Sequence, residues 1–293
     1  MTTSANGTGY SEFTVPGSPS VMVACDLDRT IIYSANSMAL QCSDSSAPAL
    51  VVAEVYEGVP LSFMTRAAWD VLERLVREAI FVPVTTRTVQ QFRRVNIPGR
   101  DKGFAVTTNG AVLLHDGVQD PEWTDLIQDS VQANCAPLHE VQDYVLGATK
   151  PSAILRGRVA EDIFVYCIVN RDELSADYLE DASGWCQERG WTISLQGRKL
   201  YFVPSPVTKE AALAEIRRRH PVDMLVAAGD SRLDAGILQL ADLAIRPAHG
   251  ELNNSTFHLP NLRVTSSSGI VAGEEILQFA ASRIPVWREA VVS

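Results

Sequence analysis

The stretch Val21-Met-Val-Ala-Cys-Asp26-Leu-Asp28-Arg-Thr30 decides how this chain is read. Four apolar or small residues and a cysteine run directly into two carboxylates, the pattern of a buried parallel strand that stops at a site. In open α/β sheets, ligands sit beyond the carboxyl ends of the strands. Asp26 stays in line with the strand, and Asp28 turns over it into the same cavity. One carboxylate would then attack or hold a metal while the other handles protons. The competing reading is a strand followed by an ordinary Asx turn, and the rest of the chain must decide between them.

Outward from this strand the pattern alternates. Residues 31–61 have no helical period; a polar loop at Cys42-Ser-Asp-Ser-Ser-Ala-Pro48 precedes the apolar Leu50-Val-Val-Ala-Glu-Val-Tyr56, and Glu57-Gly58-Val-Pro60 closes the run. This predicts a flap, a short β-hairpin beside the mouth of the site. Thr65 caps a helix whose Ala68, Val71, Leu72, Leu75, Val76 and Ala79 form one apolar face. Ile80-Phe-Val-Pro-Val84 reads as a second buried strand ending in Thr85-Thr86-Arg87. Gly103-Phe-Ala-Val-Thr107 reads as a third, ending in Thr108-Asn109-Gly110. Strands alternating with helices predict a parallel sheet.

The rhythm changes near Asp116. Residues 121–146 read as mostly helical, 153–159 and 162–169 as paired strands, 172–189 as a helix, and 192–196 with 199–203 as a hairpin around Gly197-Arg198. That is an inserted α+β unit with antiparallel pairing, and Pro204 and Pro206 mark the way back. Thr208-Lys209 then opens a helix. Leu225-Val-Ala-Ala228 is a strand ending in Gly229-Asp230-Ser231-Arg-Leu-Asp234, residues 243–245 are a last core strand, and 271–282 a final helix. The expected organisation is a disordered tail over 1–20, a core domain over 21–115 and 204–293, and a cap over 116–203.

The formal net charge of −10 argues against a nucleic-acid backbone or an anionic membrane as partner. It leaves room for a small anionic substrate, because a metal and a few cations reverse the field locally. Cys25, Cys42, Cys135, Cys167 and Cys186 are odd in number and contain no Cys-x-x-Cys, which fits a reducing cytoplasm better than a disulfide framework or a zinc site. Residues 1–20, rich in Ser, Thr, Gly and Pro, have neither the basic start nor the apolar run of a signal peptide. No run of about 18 apolar residues predicts a membrane span. Oligomeric state is left open.

Three strand ends thus carry polar groups, at Asp26/Asp28, Thr85 and Asp230/Asp234, and a helix start carries Lys209. Singly, Thr85 reads as a helix cap, Lys209 as a solvated lysine and Gly229-Asp230 as a turn. A lysine at a helix start opposes the helix dipole, which favours a role for it. In a parallel sheet the three strand ends share one edge. The set resembles the haloacid dehalogenase (HAD)-like phosphohydrolases. Their four motifs are Asp-x-Asp-x-Thr after strand one, Thr or Ser after strand two, Lys before a later helix, and Gly-Asp-x-x-x-Asp after strand four. An αββαββ insert between the second and third motifs resembles the cap of the Cof-type, sucrose-phosphate phosphatase and phosphomannomutase branch. Thr108-Asn109-Gly110-Ala111 resembles a segment common there.

The resemblance implies an α/β protein, a Rossmann-like parallel-sheet core with an inserted α+β cap, acting as a Mg²⁺-dependent phosphatase on a small phosphorylated metabolite such as a sugar or polyol phosphate. Asp26 would be the nucleophile. Asp28 would be the acid/base, a role that needs a raised pKa. Asp26, the backbone carbonyl of Asp28 and Asp230 would hold Mg²⁺, and Asp234 would ligate or orient it. Thr85 and Lys209 would hold phosphoryl oxygens, with Thr86, Arg87 and Asn109 as further candidates. Arg87 either touches phosphate or pairs with a carboxylate. Arg156, Arg158, Gln196 and Arg198 are cap candidates for specificity, although each taken singly reads first as a surface residue. The chain departs from the family where Arg29 and Thr86 replace a frequent Gly; Arg29 either contacts substrate or crowds the site and lowers the pKa of Asp28. A phosphomutase and a catalytically silent regulatory protein remain as alternatives.

Overall fold

The computed structural model describes residues 20–40, 42–147 and 150–284. The expected tail lies outside them except for Ser20, whose backbone N–H and hydroxyl both donate to Asp223. All five residues of β1 (Val21–Cys25) are buried. β2 (Tyr33–Ser34), β3 (Leu50–Tyr56) and β4 (Val59–Thr65) form a separate antiparallel sheet, in which the predicted flap is the β3–β4 hairpin. Thr65 caps α1 (Arg66–Glu78) by accepting from the Ala68 N–H, and Ala68, Leu72 and Leu75 form its buried face. β5 (Ile80–Pro83), the short α2 (Val89–Phe92) and β6 (Phe104–Thr107) follow, then β7 (Val112–His115) and β8 (Val118–Gln119).

Next come α3 (Pro121–Asn134), α4 (Leu138–Leu146), β9 (Ile154–Ala160), β10 (Phe164–Val169), α5 (Ala176–Gln187), β11 (Trp191–Gln196) and β12 (Lys199–Pro204). The chain ends its described course with α6 (Lys209–Arg219), β13 (Met224–Ala228), α7 (Ala235–Leu240), β14 (Leu243–Arg246), β15 (Leu262–Val264) and α8 (Ile270–Ala281).

The central sheet has the order β15-β14-β13-β1-β5 and is parallel throughout, with β1 hydrogen-bonded on both sides. Its strands are apolar on both faces because helices cover both. The inserted strands make a four-stranded antiparallel sheet, β11-β12-β10-β9, backed by α4 and α5.

Two points differ from the sequence expectation. β6 does not continue the parallel sheet as a full strand. It pairs antiparallel with β7 and reaches the core sheet through a single parallel bridge, Val84 to Val106. Left-handed backbone at Thr108, Asn109 and Gly110 reverses the chain there, and the apolar residues 112–114 pair back along β6. The edge strand β15 was not expected; its three residues are too few to show a period. The five cysteines are free. No helix among the described residues is long and apolar enough to cross a membrane.

Candidate active site

Asp26 directly follows β1 and continues its ladder, donating its N–H to the Ala228 carbonyl at 2.9 Å. The chain then coils tightly. The Leu27 carbonyl accepts from the N–H groups of Thr30, Ile31 and Ile32, which brings Thr30 back over the strand end. Its hydroxyl donates to Asp26 Oδ2 at 3.0 Å in a buried setting. The coil needs a left-handed residue at position 29, where Arg29 has φ +64°. Glycine adopts that conformation without the steric cost of a Cβ, which explains the frequent Gly at this position.

Lys209 is buried at the start of α6 and donates to Asp26 Oδ1 and Asp234 Oδ1, both at 2.6 Å. Its place is set from two sides. Thr208 caps α6 through the Ala211 N–H, and the 108–110 turn packs against that cap. Gly110, at φ +101°, sits so close that a Cβ would collide with the Thr208 carbonyl. Asn109, also left-handed, donates its amide to the Val207 carbonyl at 3.0 Å. Asp234 Oδ2 accepts from the Ser231 hydroxyl and from the Ser231 and Asp230 N–H groups. Asp234 is therefore saturated by the loop and the lysine. Among the described residues Asp230 has one ion-pair partner, Arg29 at 3.6 Å, and Gly250 packs on it with no room for a side chain.

Carboxylate oxygens of Asp26, Asp230 and Asp234 lie within 4.8 Å of one another, all buried. Burial pushes Asp26 up to about 7, offset in part by the Lys209 charge and reinforced by Asp234 and Asp28. Burial, then Asp26 and Asp234, push Asp230 well above the usual carboxylate range, against weaker opposition from Arg29 and Lys209. Burial would lower Lys209, but its two carboxylates hold it above the usual lysine range. Lys209 thus serves two of the three buried carboxylates and the partly exposed Arg29 the third, and the uncompensated negative charge together with the all-oxygen donor set fits a hard divalent cation such as Mg²⁺.

Asp28 behaves differently from the expectation. Its side chain stands apart from the three-carboxylate cluster and is held bidentately by Arg87, with Nε to Oδ2 at 2.7 Å and an Nη to Oδ1 at 2.8 Å. Burial would raise its pKa, but Arg87's charge and hydrogen bonds outweigh that, with Lys199 and Lys209 adding, and hold it down at about 2. The expected raised pKa is therefore corrected, and the cause is Arg87 rather than Arg29, which turns to Asp230. Arg87 also donates to the buried Glu54 of the flap at 2.8 Å, and Arg94 pairs with the other Glu54 oxygen.

The remaining candidates divide. The Thr85 hydroxyl accepts from the Arg87 N–H at 3.2 Å, and the Thr86 hydroxyl lies 3.5 Å from the Tyr201 hydroxyl of the cap. Asn109 gives its amide to Val207, so its observed work is to place α6. Gln196 reaches the core, donating to the Ser231 hydroxyl at 3.0 Å. Arg156, Arg158 and Arg198 are exposed. Sequence reasoning missed Glu54, which read as one polar residue in an apolar strand, and Tyr166, Lys199 and Tyr201, which line a cleft with Thr86 and Arg87. The alternation of β10 and β12 could have flagged the last three, given the facing of the sheet.

No family model and no curated protein matches the chain. Solved structures do. The sucrose-phosphatase of Synechocystis sp., in complex with sucrose and phosphate, is 12% identical over 89% of this chain and 98% of its own, with a TM-score of 0.63. A trehalose-6-phosphate phosphatase related protein is 15% identical over 89% and 97%, TM-score 0.50. The trehalose-6-phosphate phosphatase of Aspergillus fumigatus is 10% identical over 90% and 94%, TM-score 0.50. The chain therefore has the fold of the HAD-like phosphohydrolases, a parallel-sheet core carrying an inserted cap.

Proposed function

We propose that this chain is a Mg²⁺-dependent phosphatase that hydrolyses a small phosphorylated metabolite, a sugar or polyol phosphate, through an aspartyl phosphate on Asp26. The observation that carries the reading is the convergence of Asp26, Lys209 and the Asp230/Asp234 pair, from three separate segments, at the carboxyl end of the parallel sheet. The solved sucrose-phosphatase with sucrose and phosphate supports a phosphorylated sugar as the class of substrate.

Asp26 and Asp230, with the backbone carbonyl of Asp28, would hold Mg²⁺, and Asp234 would orient the loop that presents Asp230. The bound cation would neutralise phosphoryl charge and favour ionised carboxylates. Lys209 and Thr30 hold the two oxygens of Asp26 in one orientation, and the lysine also favours the ionised nucleophile. An Asp26 oxygen bonds to phosphorus as the ester P–O bond breaks, and the leaving oxygen takes a proton from Asp28. Water then attacks phosphorus, Asp28 takes a proton from that water, and the P–O bond to Asp26 breaks to release phosphate.

Asp28 cannot donate a proton while Arg87 holds it ionised, so catalysis asks for that clamp to open. Phosphoryl oxygens compete for the same guanidinium fork, and their arrival frees the Asp28 carboxyl to take up a proton. Thr85 lies at the same strand end, where its hydroxyl can reach a phosphoryl group once the Arg87 loop moves.

The test is Asp26→Asn assayed on a generic aryl phosphate, with folding checked by circular dichroism. Hydrolysis is expected to vanish in a folded protein; unchanged turnover refutes the nucleophile. Product analysis with a hexose phosphate separates released phosphate from an isomeric phosphate, the mark of a mutase.

A further inference from the structure

Strand register settles which cap residues look at the core. Tyr166 lies opposite Arg158 on one side and Tyr201 on the other, and Ile168 lies opposite Arg156 and Lys199. Lys199 in turn lies opposite Gln196. Directly paired residues of antiparallel strands point the same way, as do alternate residues along one strand. Arg156, Arg158, Lys199, Tyr166, Tyr201 and Gln196 therefore share a face. That face is the one over the site, because Gln196 donates to Ser231, Tyr201 meets Thr86, and Tyr166, Lys199 and Tyr201 line a cleft with Arg87.

The face is cationic in a chain with ten more acidic than basic residues. Among the described residues Arg156, Arg158 and Lys199 make no ion pair and no side-chain hydrogen bond, whereas Arg87 and Arg94 nearby are fully engaged with carboxylates. A neutral sugar would be served by amides and hydroxyls. Three cations on that one face, of which Lys199 lines the cleft and feels the Asp28 carboxylate without pairing to it, raise the local positive potential and suit an oxyanion.

Building on the phosphatase reading, we propose that this cap face binds a second anionic group of the substrate, a carboxylate or a second phosphate carried on the leaving-group side. The preferred substrate is then a phosphorylated sugar acid or a bisphosphate rather than the phosphate of a neutral sugar. Lys199, the cation that lines the cleft, contacts this second group directly. Arg158, flanking Tyr166, and Arg156 attract it electrostatically.

The test compares KM values of the full chain, with Mg²⁺, for a hexose phosphate, the matching phosphorylated aldonic acid and the matching bisphosphate. One charged substrate is expected to have a KM about tenfold or more below that of the neutral one, the effect of one charge-assisted hydrogen bond. Which of the two wins identifies the second group. The advantage should shrink with added salt. Lys199→Met should erase most of it, Arg158→Met part of it, and Lys199→Arg should retain it. Equal KM values for all three substrates, or variants that raise every KM by the same factor, overturn the second-anion site and leave the phosphatase reading intact. If no substrate is turned over, aryl phosphate included, the phosphatase reading has failed, and calorimetric titration with the unphosphorylated aldonic acid decides the site alone. Binding that Lys199→Met abolishes supports it; binding no tighter than that of the neutral sugar overturns it.

Discussion

Replacing Lys209 by Met tests the centre of the site without hydrolysing anything. The side chains have similar length and volume, so the change removes a charge and leaves little cavity. Lys209 is 1% exposed, and its two partners, at 2.6 Å, are 8% and 0% exposed. Breaking a buried ion pair by removing one partner typically costs about 3–5 kcal/mol, because an uncompensated charge stays behind. Asp234 keeps three donors on Oδ2, so most of that cost falls on Asp26, which retains only Thr30. The sign with pH follows. A carboxyl whose pKa is raised in the folded state destabilises it above that pKa, and the penalty fades as pH falls toward the unfolded value of 3.8. Urea unfolding followed by circular dichroism should show the full loss at about pH 8 and a clearly smaller one at about pH 5. In an Asp26→Asn background, Lys209→Met should cost much less. A loss under about 1 kcal/mol, or one equal at both pH values and in both backgrounds, would refute the buried charge balance described for the site.

Two further outcomes are expected. Asp230→Asn should stabilise the cation-free protein, because it removes a like charge from a buried cluster, and should abolish the rise in Tm that Mg²⁺ gives the wild type; an equal Mg²⁺ shift in both proteins would place the cation elsewhere. Arg87→Met should remove the hold that keeps Asp28 near 2 instead of 3.8. Since Asp28 is 45% exposed, solvent screening limits the stability involved to about 1 kcal/mol. A depressed carboxylate stabilises the fold above its unfolded pKa and loses that contribution as pH falls from about 4 to about 2, so the wild type should be more acid-sensitive than the variant over that window. Parallel acid-unfolding curves would contradict the clamp.

Local sequence carried most of the architecture. The apolar run before Asp26, the helical period after Thr65 and the turn at Gly197-Arg198 are short-range patterns, because a strand or helix buries one face through residues two to four apart. That logic stops at β6, which meets the core sheet through one parallel bridge, Val84 to Val106, but pairs along its length with β7. Thr107 ends a strand either way, and only the left-handed turn at 108–110 with the return of β7 settles its partner. The four motif residues Asp26, Lys209, Asp230 and Asp234 were legible as strand and helix ends, and the parallel sheet brought them together.

Local patterns along the chain therefore set the order of the elements and the chemical types placed at their ends. Tertiary structure alone decided which charge meets which. Arg87 and Glu54 lie 33 residues apart, and Arg87 and Asp28 59 apart; no spacing rule links them. Yet their contact holds Asp28 ionised and ties the flap to the site. The same holds for the cap, where exposed-looking arginines acquire a direction only once the strand register is known. Burial and the distances between charges are properties of the folded surface, and a carboxylate takes its proton affinity from those rather than from its neighbours in the chain.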